Sequence, residues 1–207
     1  MSPREISLSD DSLFAQIRSC IKSNGLIIYP TDTCYGVGAN AQDNRAVLRV
    51  FKLKKRKRSK PISVVVSRGT LAEYAQITER EAHFVDKFLP GPLSVVLYQT
   101  GKLSEHLNID EPTKVAFRII PSQFRISKFV DTYHMPLTAT SANISDSPDQ
   151  SLPEIIRSLE LEDSDLIIRT KIPLSFNPSA IVDMTFNPPR ILREGDLSSE
   201  LRDWGCV

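Results

Sequence analysis

Apolar residues recur along the chain with two different periods, and the periods alternate. Glu5-Ile6-Ser7-Leu8 predicts a first strand, and Leu13, Phe14, Ile17 and Ile21 then recur at helical spacing behind a cap at Ser9 or Asp10. Asn24-Gly25 closes that helix. Leu26 to Tyr29 is an apolar run that reads as a buried strand, and it delivers the loop Tyr29-Pro30-Thr31-Asp32-Thr33-Cys34-Tyr35-Gly36-Val37-Gly38. Asp43 caps the next helix, which turns Val47, Leu48, Val50 and Phe51 to the core, with Leu53 at the margin, and ends in the basic run Lys54 to Lys60. Ile62 to Val66 is β-branched and predicts a short strand. Thr78-x-x-Glu81 is a capping box opening a helix through Phe88, which Pro90-Gly91-Pro92 ends. Leu93 to Tyr98 and Lys114 to Ile119 predict two more strands; in the second, Lys114, Ala116 and Arg118 share one face and Val115, Phe117 and Ile119 the other. Residues 122 to 133 read as a helix, Leu137 to Thr140 as a strand, and Ser151-x-x-Glu154 caps a helix to Leu159. Leu166-Ile167-Ile168, Ala180-Ile181-Val182 and Ile191-Leu192 predict further strands, and residues 197 to 204 a last helix.

Interleaved strands and helices predict an α/β fold with a mixed sheet. No repeat or low-complexity linker divides the chain, so one domain over residues 1–207 is expected. The Ser-, Asp- and Pro-rich segment Ile144 to Ser151 predicts a loop over a site.

Composition changes this picture little, because 41% hydrophobic and 25% charged residues in 207 are ordinary for a globular chain. No segment approaches the roughly 18 apolar residues of a membrane span, and Met1 to Asp11 lacks a signal-peptide pattern. A cytoplasmic protein with no membrane partner is the expectation. Cys20, Cys34 and Cys206, and His83, His106 and His134, are too dispersed for a disulfide framework or a metal site.

Charge matters more by position than in sum. The net charge is +1, yet residues 52 to 60 carry seven Lys or Arg. Such a run suits a solvated helix end, a nucleic-acid backbone or the phosphates of a small ligand, and Lys54-x-Arg56 pairs a point charge with a planar fork. Thr31 and Thr33 leave a buried strand; their hydroxyls either bond a turn's own backbone or meet a polar ligand. Thr140-Ser141-Ala142-Asn143 is either turn chemistry or an anion-binding nest at a strand end. Positions of this kind gather in one crevice in an open α/β sheet. Neither G-x-x-x-x-G-K-[ST] nor G-x-G-x-x-G occurs, and no paired carboxylates flank the motifs, so any catalysis leans on positioning and electrostatics.

Taken in order, Tyr29-Pro30-Thr31-Asp32-Thr33-x-Tyr35-Gly36, Lys54-x-Arg56 with Lys60-Pro61, Pro90-Gly91-Pro92-Leu93, Val115-Ala116-x-Arg118, Thr140-Ser141-Ala142-Asn143, Pro178-Ser179-x-x-Val182-Asp183 and Ile191-Leu192-Arg193 form one series. The series resembles the signatures of the YrdC-type threonylcarbamoyl-AMP synthases, in their short single-domain form, over residues 20 to 195. The resemblance implies an open, twisted mixed β-sheet flanked by helices, with a concave basic crevice. It implies a nucleotidyltransferase that makes threonylcarbamoyl-AMP and pyrophosphate from L-threonine, bicarbonate or CO2, and ATP. The product would serve a downstream tRNA-threonylcarbamoyl transferase complex that modifies tRNA. Magnesium would arrive with ATP, with no metal ligands from the protein.

By the same resemblance Lys54, Arg56, Ser141 and Asn143 form the catalytic set. Thr31, Thr33, Arg118, Ala139 and Ser179 would contact threonine, and Arg56, Lys60, Lys114, Ser141 and Arg193 would contact ATP. Three departures stand out. Lys55 and Lys57 replace the Gly and Pro often found around the arginine, Val65 stands where some members carry a threonine-contacting histidine, and Glu194 follows Arg193 where Pro is usual. The longer members' C-terminal domain is not expected, so a lid would come from residues 144 to 151 or from the N-terminus. Two other readings remain open: a double-stranded RNA or tRNA-binding module without catalysis, and a relative that transfers carbamoyl groups.

Overall fold

The computed structural model describes residues 3–145, 147 and 151–207. Among these, ten strands run in chain order: β1 (Arg4–Ser7), β2 (Ile27–Pro30), β3 (Tyr35–Gly38), β4 (Ser63–Val65), β5 (Leu93–Tyr98), β6 (Lys114–Arg118), β7 (Leu137–Ser141), β8 (Leu166–Arg169), β9 (Ala180–Asp183) and β10 (Arg190–Arg193). They pair into a single sheet in the order β1-β8-β2-β3-β7-β4-β6-β5-β9-β10. The β1–β8, β8–β2, β4–β6 and β5–β9 pairs are parallel and the rest antiparallel, so the sheet is mixed as expected.

Helices α1 (Leu13–Lys22), α2 (Asn44–Leu53), α3 (Leu71–Tyr74), α4 (Glu79–Phe88), α5 (Ile126–Tyr133), α6 (Leu152–Ser158) and α7 (Ser198–Asp203) cover the sheet unequally. Strand alternation sorts the core into two apolar clusters. Ile28, Val37, Val64, Val95, Phe117 and Val182 join the buried faces of α2, α4, α6 and α7 in one. Ile27, Tyr29, Val65, Leu137 and Ile168 join α1 and α5 in the other. Two helices cannot cover ten strands. Toward β6, β5 and β9 the second face is left to polar side chains, and that uncovered stretch is where the site lies.

Local chemistry explains most element boundaries. The Asp43 carboxylate accepts from the N–H groups of Arg45 and Ala46, and the capping boxes at Thr78/Glu81 and Ser151/Glu154 are both formed. Asn24, rather than Gly25, takes the left-handed conformation after α1 (φ 58°).

Five expectations change. The cap expected at Ser9 or Asp10 falls instead at Ser12, which makes no side-chain cap bond to α1. The loop from Tyr29 to Gly38 is a hairpin in which β3 pairs with both β2 and β7. Its glycines hid the strand pattern: a Cβ on Gly38 would lie 2.6 Å from Ile27 Cγ1 and 2.8 Å from Tyr29 Cε1, so those side chains fill the space a β3 side chain would take. α2 ends at Leu53, and Lys55 (φ 49°) turns the chain, so the basic run is a loop rather than a helix end. Leu48 faces solvent at 39% exposure instead of the core. The helix expected over residues 122 to 133 is split at Arg125 (φ 60°), into a 3-10 turn Ser122–Phe124 and α5.

Candidate functional site

Arg118, Ser94 and Ile181 stand on the sheet face that α1 and α5 leave bare. Ser94 pairs with Ile181 across β5 and β9, and Arg118 pairs with Val65 on β4. Above them is a cavity of about 400 Å³, lined by Thr31, Thr33, Cys34 and Gly36 from the β2–β3 hairpin and by Lys54, Arg56 and Pro61 from the basic loop. Ser63, Ala139, Thr140, Ser141, Asn143, Ser145, Ser147, Pro178, Ser179 and Arg193 complete the wall. The described lining contains cations, hydroxyls and an amide but no carboxylate, which is a composition suited to an anionic ligand.

The hairpin tip is tightly self-bonded. Thr31 Oγ1 donates to the Cys34 carbonyl at 2.7 Å and accepts from the N–H groups of Thr33 and Cys34, each at 3.2 Å. Thr31 and Thr33 hydroxyls are 3.0 Å apart. The Phe176 N–H donates to the Thr33 carbonyl at 2.8 Å, tying the segment before β9 to the hairpin. The first sequence reading of these threonines is what the bonds show, since Thr31 organises a turn, and that turn holds both hydroxyls on the cavity wall.

Lys54 is fully buried. Its ammonium donates to the carbonyl of Ser141, to the carbonyl of Asn143 at 2.6 Å and to Asn143 Oδ1 at 3.0 Å. Ser141 Oγ donates to Asn143 Oδ1 at 2.6 Å, and the Ser145 N–H donates to the Lys54 carbonyl at 3.0 Å. A cation thus neutralises the carbonyl dipoles of the turn after β7 and fixes its shape. Arg56 donates to the carbonyls of Lys60 and Pro61, at 3.1 and 2.8 Å, which folds the basic loop back on itself.

On the opposite wall Arg193 Nε donates to the Ser179 carbonyl at 2.8 Å and Nη2 to Ser179 Oγ at 3.0 Å. Ser179 Oγ lies 3.4 Å from Ser94 Oγ. Arg118 is 7% exposed and bridges to Asp32, Nη2 to Oδ1 at 2.8 Å. Beneath Gly36, Tyr29 is completely buried with its hydroxyl donating to the Thr138 carbonyl at 2.9 Å, and burial raises its pKa.

Of the residues singled out from sequence, Thr31, Thr33, Lys54, Arg56, Arg118, Ala139, Ser141, Asn143, Ser179 and Arg193 all line the one cavity. Lys60 and Lys114 do not. Lys60 instead lends its carbonyl to Arg56. Lys114 opens β6, four residues and about 13 Å along the strand from Arg118 at ~3.3 Å per residue. There it bonds Glu111 at 2.7 Å and stacks 4.9 Å over Phe186, and the Glu111 hydrogen bond is the main cause of its raised pKa. Val65, the position for which the resemblance implies a histidine in some members, is wholly buried in the second apolar cluster. Sequence reasoning missed Ser63, Ser94, Ile181 and Cys34 as wall residues. A lone serine inside each of the apolar strands β4 and β5 was the available signal. Residues 146 and 148 to 150 of the expected lid lie outside the described residues, and the N-terminal β1 pairs with β8 at the sheet edge.

Among the described residues no cluster of His, Cys, Asp and Glu could hold a metal ion, and no helix is long and apolar enough to cross a membrane.

A domain model for Sua5, YciO and YrdC proteins, described as telomere recombination, matches residues 19–195. The chain belongs to this Sua5/YciO/YrdC family. It is 31% identical over 176 residues to a Methanocaldococcus jannaschii protein provisionally named threonylcarbamoyl-AMP synthase, covering 84% of this chain and 82% of that one. It is 32% identical to the threonylcarbamoyl-AMP synthase of Pyrococcus abyssi, where 87% of this chain spans about half, 53%, of the relative. The crystal structure of P. abyssi Sua5 complexed with L-threonine superposes with a TM-score of 0.84 at 26% identity, covering 99% of this chain and 61% of that one. Escherichia coli YciO shares the fold at a TM-score of 0.79 and 22% identity, covering 96% and 98% of the two chains.

Proposed function

We propose that this chain is an L-threonylcarbamoyladenylate synthase, which joins L-threonine, bicarbonate or CO2, and ATP into threonylcarbamoyl-AMP and pyrophosphate. The observation that carries the proposal is the convergence, in one cavity whose described lining has no carboxylate, of the Thr31–Thr33 hairpin, Arg118, Ser179, the Lys54-braced Ser141–Asn143 turn, Arg56 and Arg193. The names of the relatives and the threonine-bound neighbour support it.

In this reading the threonine amine adds to CO2 and loses a proton to form a carbamate. A carbamate oxygen attacks the α-phosphorus of ATP, the bond from that phosphorus to the α,β-bridging oxygen breaks, and pyrophosphate leaves with that oxygen. Thr33, Arg118 and Ser179 would bind the amino acid, while Arg56, Ser141 and Arg193 would draw off phosphate charge as it shifts toward the leaving group. Among the described residues the cavity wall offers hydroxyls, an amide and cations, which do not make a resident magnesium site; a magnesium ion would enter as the counter-ion of the triphosphate. The adenylate would pass to a tRNA-threonylcarbamoyl transferase in the cytoplasm.

Incubation with labelled bicarbonate, L-threonine, ATP and magnesium tests the assignment directly. Pyrophosphate release should require L-threonine, and alanine and serine should support it poorly. Release that is absent or indifferent to the amino acid refutes it.

A further inference from the structure

Thr31, Thr33 and Cys34 line the cavity, and Asp32 between them does not. Its carboxylate turns to Arg118 instead, across 86 residues of sequence, and both side chains are nearly closed to solvent at 13% and 9% exposure. The contact uses one atom from each partner. Arg118 Nη2 donates to Asp32 Oδ1 at 2.8 Å, Nη1 reaches Thr33 Oγ1 only at 3.4 Å, and neither Nε nor Asp32 Oδ2 has a partner. Arg118 thus keeps donor capacity on a cavity wall while one end of its guanidinium is tethered.

The tether itself cannot drift. Asp32 sits inside the turn that Thr31 Oγ1 closes through the Thr33 and Cys34 N–H groups, and the Phe176 N–H clamps the Thr33 carbonyl from outside. A long, flexible side chain anchored to a rigid turn loses rotamer freedom before a ligand arrives, which lowers the entropy cost of binding.

We propose that Asp32 is a positioning residue: it anchors Arg118 through Nη2 so that the remaining guanidinium donors keep one orientation toward the carboxylate of an amino-acid substrate. This rests on the proposed function, since it takes Arg118 to meet that carboxylate. The anchor acts through Arg118 and touches no substrate itself.

A counter-charge role and a positioning role predict opposite signs. Removing a negative charge beside Arg118 would strengthen its attraction for a carboxylate, whereas removing an anchor weakens the bond by loosening its geometry. The test is calorimetric titration of the full chain with L-threonine and, separately, with ATP, on the wild type and on Asp32→Ala, Asp32→Asn and Asp32→Glu. Asp32→Ala should weaken threonine binding at least about tenfold and leave ATP binding within about twofold, the cost of losing a charge-assisted hydrogen bond. Asp32→Asn, whose amide oxygen still accepts from Nη2, should recover to within about threefold of wild type. Asp32→Glu keeps the charge but displaces the oxygen by a methylene, so it should bind threonine more weakly than Asp32→Asn. Should Asp32→Ala fail to fold, the order of the Asn and Glu variants decides alone. Tighter or unchanged threonine binding in Asp32→Ala, parallel weakening of threonine and ATP, or Glu outperforming Asn each overturns the inference. Wild-type protein that binds no threonine overturns the proposed function and the inference with it; threonine-competent wild type with indifferent variants overturns the inference alone.

Discussion

Replacing Lys54 by methionine keeps the volume of a fully buried side chain and deletes only its ammonium. Three acceptors lose the ammonium as a donor: the Ser141 carbonyl, the Asn143 carbonyl at 2.6 Å and Asn143 Oδ1 at 3.0 Å, the last keeping the Ser141 hydroxyl. A net hydrogen bond contributes about 1 kcal/mol and one to a charged group about 1.5–3 kcal/mol, which sets a gross loss of roughly 3–9 kcal/mol. Burying a thioether costs less than burying an ammonium, and that difference offsets part of the loss. The low end, about 3 kcal/mol, is therefore the expected figure. For a chain of this size 1 kcal/mol moves Tm by about 2–4 °C, so Lys54→Met should melt roughly 6–12 °C below wild type. The damage should begin locally: amide exchange at Ala142, Asn143 and Ser145 should accelerate before that of β5 and β6. Pyrophosphate release should fall at least about 100-fold, the rate equivalent of roughly 3 kcal/mol of lost organisation. Thermal melts by circular dichroism with amide-exchange mass spectrometry make the measurement. A Tm within about 2 °C of wild type, with exchange at the turn unchanged, would refute the bracing role assigned to Lys54.

Gly38→Ala puts a methyl 2.6 Å from Ile27 Cγ1 and should destabilise by about 1–3 kcal/mol in urea, because both neighbours are themselves fully buried. Among the cysteines, burial pushes the Cys20 thiol up to about 12 and raises that of Cys206, whereas Cys34 lines the cavity. Alkylation at pH 8 followed by peptide mapping should mark Cys34 first, and ATP with threonine should slow it; faster labelling of Cys20 would contradict the burial order. Burial works to raise the Glu81 pKa, but hydrogen bonds from Thr78 and the nearby Arg80 outweigh it and hold the carboxyl below its usual range. A depressed folded-state pKa contributes stability above the unfolded value that is lost as pH falls through the folded value. Glu81→Gln should therefore flatten part of the acid-side decline in Tm, and an acid limb identical to wild type would remove Glu81 from the account.

Three of the four helix caps read from sequence were legible because a cap is local chemistry; the fourth, expected at Ser9 or Asp10, falls at Ser12 before α1, with no side-chain cap bond. Asp43, Thr78 with Glu81, and Ser151 with Glu154 act within three residues of themselves, and all three formed where the sequence placed them. Strand β3 was not legible, because its two glycines carry no hydrophobic alternation. The reason for glycine there lies on the neighbouring strand, where Ile27 and Tyr29 occupy the space. The basic run read as a helix end because lysine and arginine are good helix formers, yet Lys55 (φ 49°) turns the chain and Arg56 bonds the carbonyls of Lys60 and Pro61 instead of continuing the helix.

The candidate site divides along the same line. Its motif residues could be named in advance, since hydroxyls at strand exits and a cation run are visible one at a time. Their grouping was not, because it depends on α1 and α5 covering half of one sheet face and leaving the rest to Arg118, Ser94 and Ile181. Lys114 shows the limit of one-dimensional inference: it shares a strand face with Arg118, but strand rise carries it to the far end, among Glu111 and Phe186.

Residue periodicity and capping chemistry, which act over a few residues, were thus enough to settle an α/β alternation and most of its elements. Strand order, the bare half of one sheet face and the partners of each buried cation depend on contacts such as Lys54 with Asn143 and Arg118 with Asp32, separated by 89 and 86 residues. Those contacts exist only once the sheet has closed around them, and so the tertiary structure alone decided which polar residues line the cavity and which hold its walls in place.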